Sequence, residues 1–176
     1  YELKVELDGF PSVNAIETTP SIPGYTISNW ELDPLDLSQN KAIEKFCSFN
    51  ILLEDNINET NYYRLKVILD DDILNNATKS CTYEVHDPAF LIPINRYNAS
   101  NTYYKGKGGY FTDEIFNGQE KNLFIELDKP KGRFNTITIQ VTAYSQKLYN
   151  FNLTRREQRR ETNNVLFESE PIFIES

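Results

Sequence analysis

The sequence predicts an all-β fold: an immunoglobulin-like or similar β-sandwich of antiparallel strands, with one short helix near residues 145–160. Three observations predict it. Short runs alternating between apolar and polar residues recur along the chain, Gly, Pro, Asn and Asp punctuate them, and one stretch carries helical spacing.

The first run is Glu2–Leu7, with Leu3, Val5 and Leu7 on one side and Glu2, Lys4 and Glu6 on the other. Asp8-Gly9 supplies a turn, and Ser12–Glu17 returns as its partner. Thr18–Pro23 holds two prolines and ends at Gly24, which reads as a linker. Residues 1–24 are therefore expected to be a strand pair and linker from a preceding domain, and residues 25–176 the sandwich domain. Tyr25–Trp30 is a short strand, and Pro34 leaves Asp33–Asn40 as loop.

The strongest pattern spans Lys45–Asp70. Cys47, Phe49, Ile51 and Leu53 form one apolar face; Tyr63, Leu65, Val67 and Leu69 form another, with Arg64 and Lys66 outward. Two adjacent alternating runs joined by the polar segment Glu54–Asn61 predict an antiparallel hairpin. Later strands are expected at Thr82–Val85, Leu123–Leu127, Thr136–Thr142, Val165–Phe167 and Ile172–Ile174. In the helix, Tyr144, Leu148 and Phe151 fall at helical spacing and Ser145 is placed to cap the first turn.

Composition narrows the chemistry. Hydrophobic residues make up 39% of the 176 positions, and aromatics reach 13%, enough to build a core because each ring buries a large area. A net charge of -8 argues against nonspecific nucleic-acid binding, which needs a basic face. The chain opens on Tyr1 and has no methionine, so it is expected to be a mature or truncated piece. No run approaches the roughly 18 apolar residues of a membrane-spanning helix. Cys47 and Cys81 are the only cysteines; a disulfide and a pair of buried free thiols fit them equally. With one histidine they do not complete a common four-ligand structural zinc site without added carboxylates, and no metal or cofactor is expected.

Enzyme signatures are sparse, and no catalytic activity is expected. His86 is the sole histidine, and no Gly-x-Ser-x-Gly elbow, His-Glu-x-x-His pair or Walker loop occurs. Cys81 and His86-Asp87 read as a strand end followed by an Asp-Pro turn rather than a thiol nucleophile with its base. Asp70-Asp71-Asp72 lacks the spaced ligand pattern of a calcium loop and reads as a solvated acidic strand end. Gly106-Lys107-Gly108-Gly109 is expected to be a mobile loop, since no helix start follows to make a phosphate cradle. Arg155–Arg160 is locally basic but tempered by Glu157 and Glu161, and reads as a solvated helix face. The sequons at Asn58, Asn76, Asn98 and Asn152 carry meaning only in a eukaryotic secreted protein.

The most function-like region is His86–Gly118, a long aromatic-rich stretch expected to be irregular. Tyr97, Tyr103, Tyr104 and Tyr110 are the candidate ligand-binding residues, because rings on loops above a rigid sandwich suit sugars or proteins. The plainer reading has these rings sealing the loop onto the sheet.

Several motifs occur in an order that resembles a known family. They are Tyr1–Val5 with Ala15 and Pro20, Asn61-Tyr62-Tyr63-Arg64, and His86-Asp87-Pro88-Ala89-Phe90. Phe111-Thr112-Asp113-Glu114-Ile115-Phe116-Asn117-Gly118, the helix around Tyr149 and Ser169-Glu170-Pro171-Ile172 complete the series. Together they resemble the Bacteroidetes envelope lipoproteins grouped as domain of unknown function 4249, specifically their carboxy-terminal part. The resemblance implies an outer membrane-anchored protein, periplasmic or on the cell surface, attached through a lipid on an upstream cysteine. It also implies a TonB-dependent outer-membrane receptor as partner, and brings no catalytic residue. Within its Phe111–Gly118 segment, Asp113 suits a structural turn: it can accept backbone N–H bonds while Phe111 and Phe116 pack inward and Gly118 takes a positive φ.

The leading functional expectation is a noncatalytic cell-envelope binding or accessory module. A glycan- or peptide-binding protein using the aromatic segment 86–118 is the alternative, and a structural or adhesive subunit assembling through edge strands is a third.

Overall fold

The computed structural model describes residues 2–21, 23–32, 45–57, 59–70, 79–95, 102–130, 134 and 136–164. Strands β1 (Glu2–Val5) and β2 (Val13–Ile16) pair antiparallel around the Asp8-Gly9 turn, where Gly9 takes a φ of 82°. Their two-stranded sheet pairs with neither of the other sheets, and Leu3, Val5 and Val13 share one exposed face.

The remaining strands form an all-β sandwich. One sheet has the order β3 (Gly24–Leu32), β4 (Lys45–Glu54), β10 (Lys121–Asp128), β7 (Tyr83–Val85), β8 (Tyr104–Gly106). The other is centred on β5 (Tyr62–Asp70). Strand β11 (Thr136–Tyr144) runs along one side of β5, and β6 (Lys79–Ser80) and β9 (Gly109–Thr112) succeed each other along its other side. Every pairing is antiparallel.

The expected Lys45–Asp70 hairpin is not formed. Both strands exist with the anticipated inward faces, but β4 pairs with β3 and β10, while β5 pairs with β11, β6 and β9 in the opposite sheet. Alternation reveals that a strand buries one face and leaves its hydrogen-bonding neighbour unspecified. The connection between the two strands also lacks the two-residue turn that fixes hairpin register. It is instead an arch that carries the chain from one layer to the other. Phe49, Ile51 and Leu53 of β4 and Leu65, Val67 and Leu69 of β5 thus belong to one core, each contributing about 1.5–3 kcal/mol by burial.

Tyrosines tie the layers together. The fully buried Tyr83 hydroxyl donates to Leu65 O at 2.6 Å and accepts from Gly109 N–H at 2.7 Å. At the sandwich edge, Tyr25 of β3 donates to Ile139 O of β11 at 3.2 Å. A bulge between Ser28 and Glu31 interrupts β3, with Asn29 at a φ of 51°, and Trp30 stacks on Phe49 at 5.0 Å.

The region 86–118 is more regular than expected. Helix α1 (Pro88–Asn95) follows Asp87, whose Oδ1 accepts Ala89 N–H at 2.9 Å, so the Asp-Pro pair is a helix start with proline in the first turn. Phe90 anchors α1 against Phe111 at 4.4 Å and Tyr104 at 5.7 Å. The Gly-rich segment is a tight passage from β8 in one sheet to β9 in the other. A Cβ on Gly109 would lie 2.6 Å from the Phe90 ring, so close packing explains the glycine.

Helix α2 (Gln146–Asn164) forms where expected, and Ser145 Oγ accepts Leu148 N–H at 3.4 Å. Its buried face differs from the expected one. Tyr149 and Leu153 pack inward, whereas Leu148 and Phe151 are exposed. The docking surface is the tyrosine cluster of Tyr62, Tyr110 and Tyr144, which selects the adjacent helical face. The strands expected at 165–167 and 172–174 lie outside the described residues.

Candidate functional site

The inward positions of β10 are Leu123, Ile125 and Leu127, so alternation turns Phe124 and Glu126 outward. On β7, Tyr83 and Val85 point inward and Glu84 outward; His86, just past the strand end, continues the outward series. Glu126 and Glu84 are direct register partners. Tyr103 immediately precedes β8, and its ring stacks on the His86 imidazole at 5.0 Å with an interplanar angle of 24°. Phe124 is 53% exposed and Tyr103 41%, with His86 exposed between their strands. Three rings therefore stand on this outer face, Phe124 on β10 and the other two at the adjoining ends of β7 and β8.

An ionic network borders them. Lys45 bridges Glu84 at 2.8 Å and Asp128 at 2.6 Å; Lys105 bridges the same two carboxylates at 2.6 and 3.3 Å. Hydrogen bonds from Lys105 and Lys45 hold the Glu84 carboxyl below its ordinary range. One His86 ring nitrogen, one Glu84 oxygen and one Glu126 oxygen lie within 4.8 Å of one another.

Of the expected ligand-binding residues that are described, Tyr103 alone presents its ring on this surface. Tyr104 is buried beside Tyr83 and Phe90, and Tyr110 is buried under α2. These two corrections share one cause: β8 and β9 are strands, and regular pairing turns their rings into the core and beneath the helix. Tyr97 lies outside the described residues. Sequence reasoning missed Phe124. Its signal was present, because a phenylalanine fills a solvent position of the Leu123–Leu127 alternation, where a polar residue is usual.

A second polar centre lies under the arch. Asp113 is fully buried and its Oδ2 accepts Asn61 N–H at 2.7 Å. Asp55 accepts from the Tyr63 hydroxyl and, at 2.8 Å, from Gly118 N–H, with Gly118 at a φ of 72°. Burial, with the nearby Asp55 charge, raises the Asp113 pKa despite the Asn61 bond. A cavity of about 280 Å3 opens beside the arch, lined in part by Glu54, Asp55, Asn61 and Tyr63. Here the carboxylates bind the chain's own backbone, and Phe111 and Phe116 pack inward as the segment's turn chemistry requires.

Cys47 and Cys81 are free and buried, so the disulfide alternative is not realised. The Cys81 thiol donates to Thr82 O and Asp128 O, at 3.4 and 3.5 Å. Desolvation pushes both thiols up to about 11, which keeps them protonated and unreactive at neutral pH.

A family model described as Domain of unknown function (DUF4249) matches residues 1–176. No curated protein and no solved structure matches the chain.

Proposed function

The chain belongs to the DUF4249 family, and from that premise we propose that it is a noncatalytic binding or accessory module of the cell envelope. Its working surface in this reading is the outer face of the five-stranded sheet. The supporting observation is the exposed set of Phe124 on β10, His86 at the end of β7 and Tyr103 at the start of β8, three adjacent strands. Rings fixed on a sheet lose little conformational entropy on binding, and the bordering charges give such a surface its polar rim. Among the described residues no helix is long and apolar enough to cross a membrane. The proposed attachment is an upstream lipid, placing the module at the outer membrane of a Bacteroidetes cell, facing the periplasm or the exterior.

The proposed partner is a TonB-dependent outer-membrane receptor, as the family resemblance implies. The test is affinity capture of the full-length protein from native membranes, with wild type beside Phe124→Ala and Tyr103→Ala. Recovery of a receptor by wild type, reduced in both variants, is the expected result; repeated recovery of no receptor removes that partner.

A second reading, direct capture of a glycan or peptide, draws on the same rings, because exposed aromatics on one face suit sugar rings. Binding to envelope glycans measured by calorimetry separates the two. Affinity that falls in Tyr103→Ala while the fold persists favours direct capture, and unchanged affinity rejects it.

A further inference from the structure

We propose that Glu84, His86 and Glu126 form a binding site for a divalent transition-metal cation of the zinc class. The inference goes beyond the binding-module reading and stands or falls without it, since it concerns the isolated chain.

The geometry carries the case. Three potential ligand atoms, one nitrogen and two carboxylate oxygens, lie within 4.8 Å of one another. Zinc holds nitrogen and oxygen ligands at about 2.0–2.2 Å, so tetrahedral partners stand about 3.4 Å apart. The remaining gap, up to about 1.4 Å, is left to side-chain rotation. The backbone itself is fixed: Glu84 and His86 share a face by strand alternation, and Glu126 is the register partner of Glu84. Tyr103 acts as a positioning residue, its ring stacked on the imidazole at 5.0 Å and restraining its rotation.

The lysines set the character of the site. Glu84 now faces Lys45 and Lys105, so a cation must compete with two ammonium groups. Both lysines also reach Asp128, which keeps them paired when Glu84 turns to the metal. The site is consequently one of modest affinity, filled by exchange of a carboxylate between partners. Its donor set selects the ion. One imidazole and two carboxylates suit zinc or nickel, whereas calcium takes six to eight oxygens. Three protein ligands leave a coordination position for water or for a donor on a bound molecule.

The test is a zinc chloride titration of the chelator-treated chain, followed by calorimetry and by NMR. His86 is the sole histidine, so a single set of imidazole resonances reports on the site. Saturable one-to-one binding that shifts these resonances is expected. His86→Ala and Glu126→Gln are each expected to weaken it at least about tenfold, as loss of a ligand does. Lys105→Gln, which removes a competing ammonium, is expected to bind at least as tightly as wild type. Four outcomes would overturn the assignment: no saturable zinc binding, wild-type affinity in His86→Ala, weakened binding in Lys105→Gln, or equal binding of calcium.

Discussion

The two outer faces of the sandwich have opposite fates. On the four-stranded sheet, Tyr62, Arg64 and Tyr110 lie toward α2, where Tyr149 and Leu153 bury themselves against a tyrosine cluster. On the five-stranded sheet, Phe124, His86 and Tyr103 face solvent beside a lattice of lysines and carboxylates. Rings therefore serve two purposes in one fold. Where a helix covers them they stabilise; where nothing in the described structure buries them they are available to a partner.

The largest expected effect comes from breaking the covered face. Tyr149→Ala removes a buried ring that contacts Tyr62 and Tyr110, and should cost about 3–5 kcal/mol in urea unfolding. A loss below 1 kcal/mol would mean that α2 contributes little to the fold.

The joint between the faces comes next. Asp113→Ala leaves the Asn61 N–H without its acceptor and should cost about 1–3 kcal/mol. Asp113→Asn retains an acceptor and removes the charge, giving a pH test. Because the folded pKa of Asp113 is raised, its contribution is complete below the ordinary carboxylate value and is lost as pH rises through the folded value. Urea midpoints compared between about pH 4 and 7 should therefore shift in favour of Asp113→Asn as pH rises. A difference that is constant with pH would contradict the raised value.

Buried thiols sharpen the contrast between interior and surface. Cys47 and Cys81, pushed up to about 11, should resist a thiol reagent in the native protein and react together on denaturation. Rapid labelling of either under native conditions would show that the sheets open locally. The smallest effect belongs to the bare face. Phe124→Ala should change stability by no more than about 0.5 kcal/mol, so any loss of binding in that variant can be read as loss of contact.

Strand positions were legible because alternation is a local property. Cys47–Leu53, Tyr63–Leu69 and Ile137–Val141 announced their buried sides directly. Strand partners were not, since pairing depends on residues more than sixty positions away, as Leu53 with Lys121 illustrates. The short β8 and β9 were hidden because a few residues beside glycines give alternation too little length to register. In α2, two apolar stripes were available, and only the tyrosines of the neighbouring sheet decide between them. Of the three exposed rings, the sequence marks Tyr103 as a candidate and reads His86 as part of a turn; recognising Phe124 requires noticing a ring at a position reserved for solvent.

The arch between β4 and β5 has a consequence for the birth of the protein. A hairpin would close within microseconds once its second strand appeared. Here β4 is complete at Glu54, yet β10 begins at Lys121, and β5 waits for β11 from Thr136. A nascent chain thus displays two amphipathic strands with unpaired edges through much of its synthesis, a state open to aggregation and suited to chaperone capture. Truncations ending before Lys121 should remain unfolded, because β4 and β5 are joined early by covalent linkage while each layer completes its own pairing late, with β10 and β11.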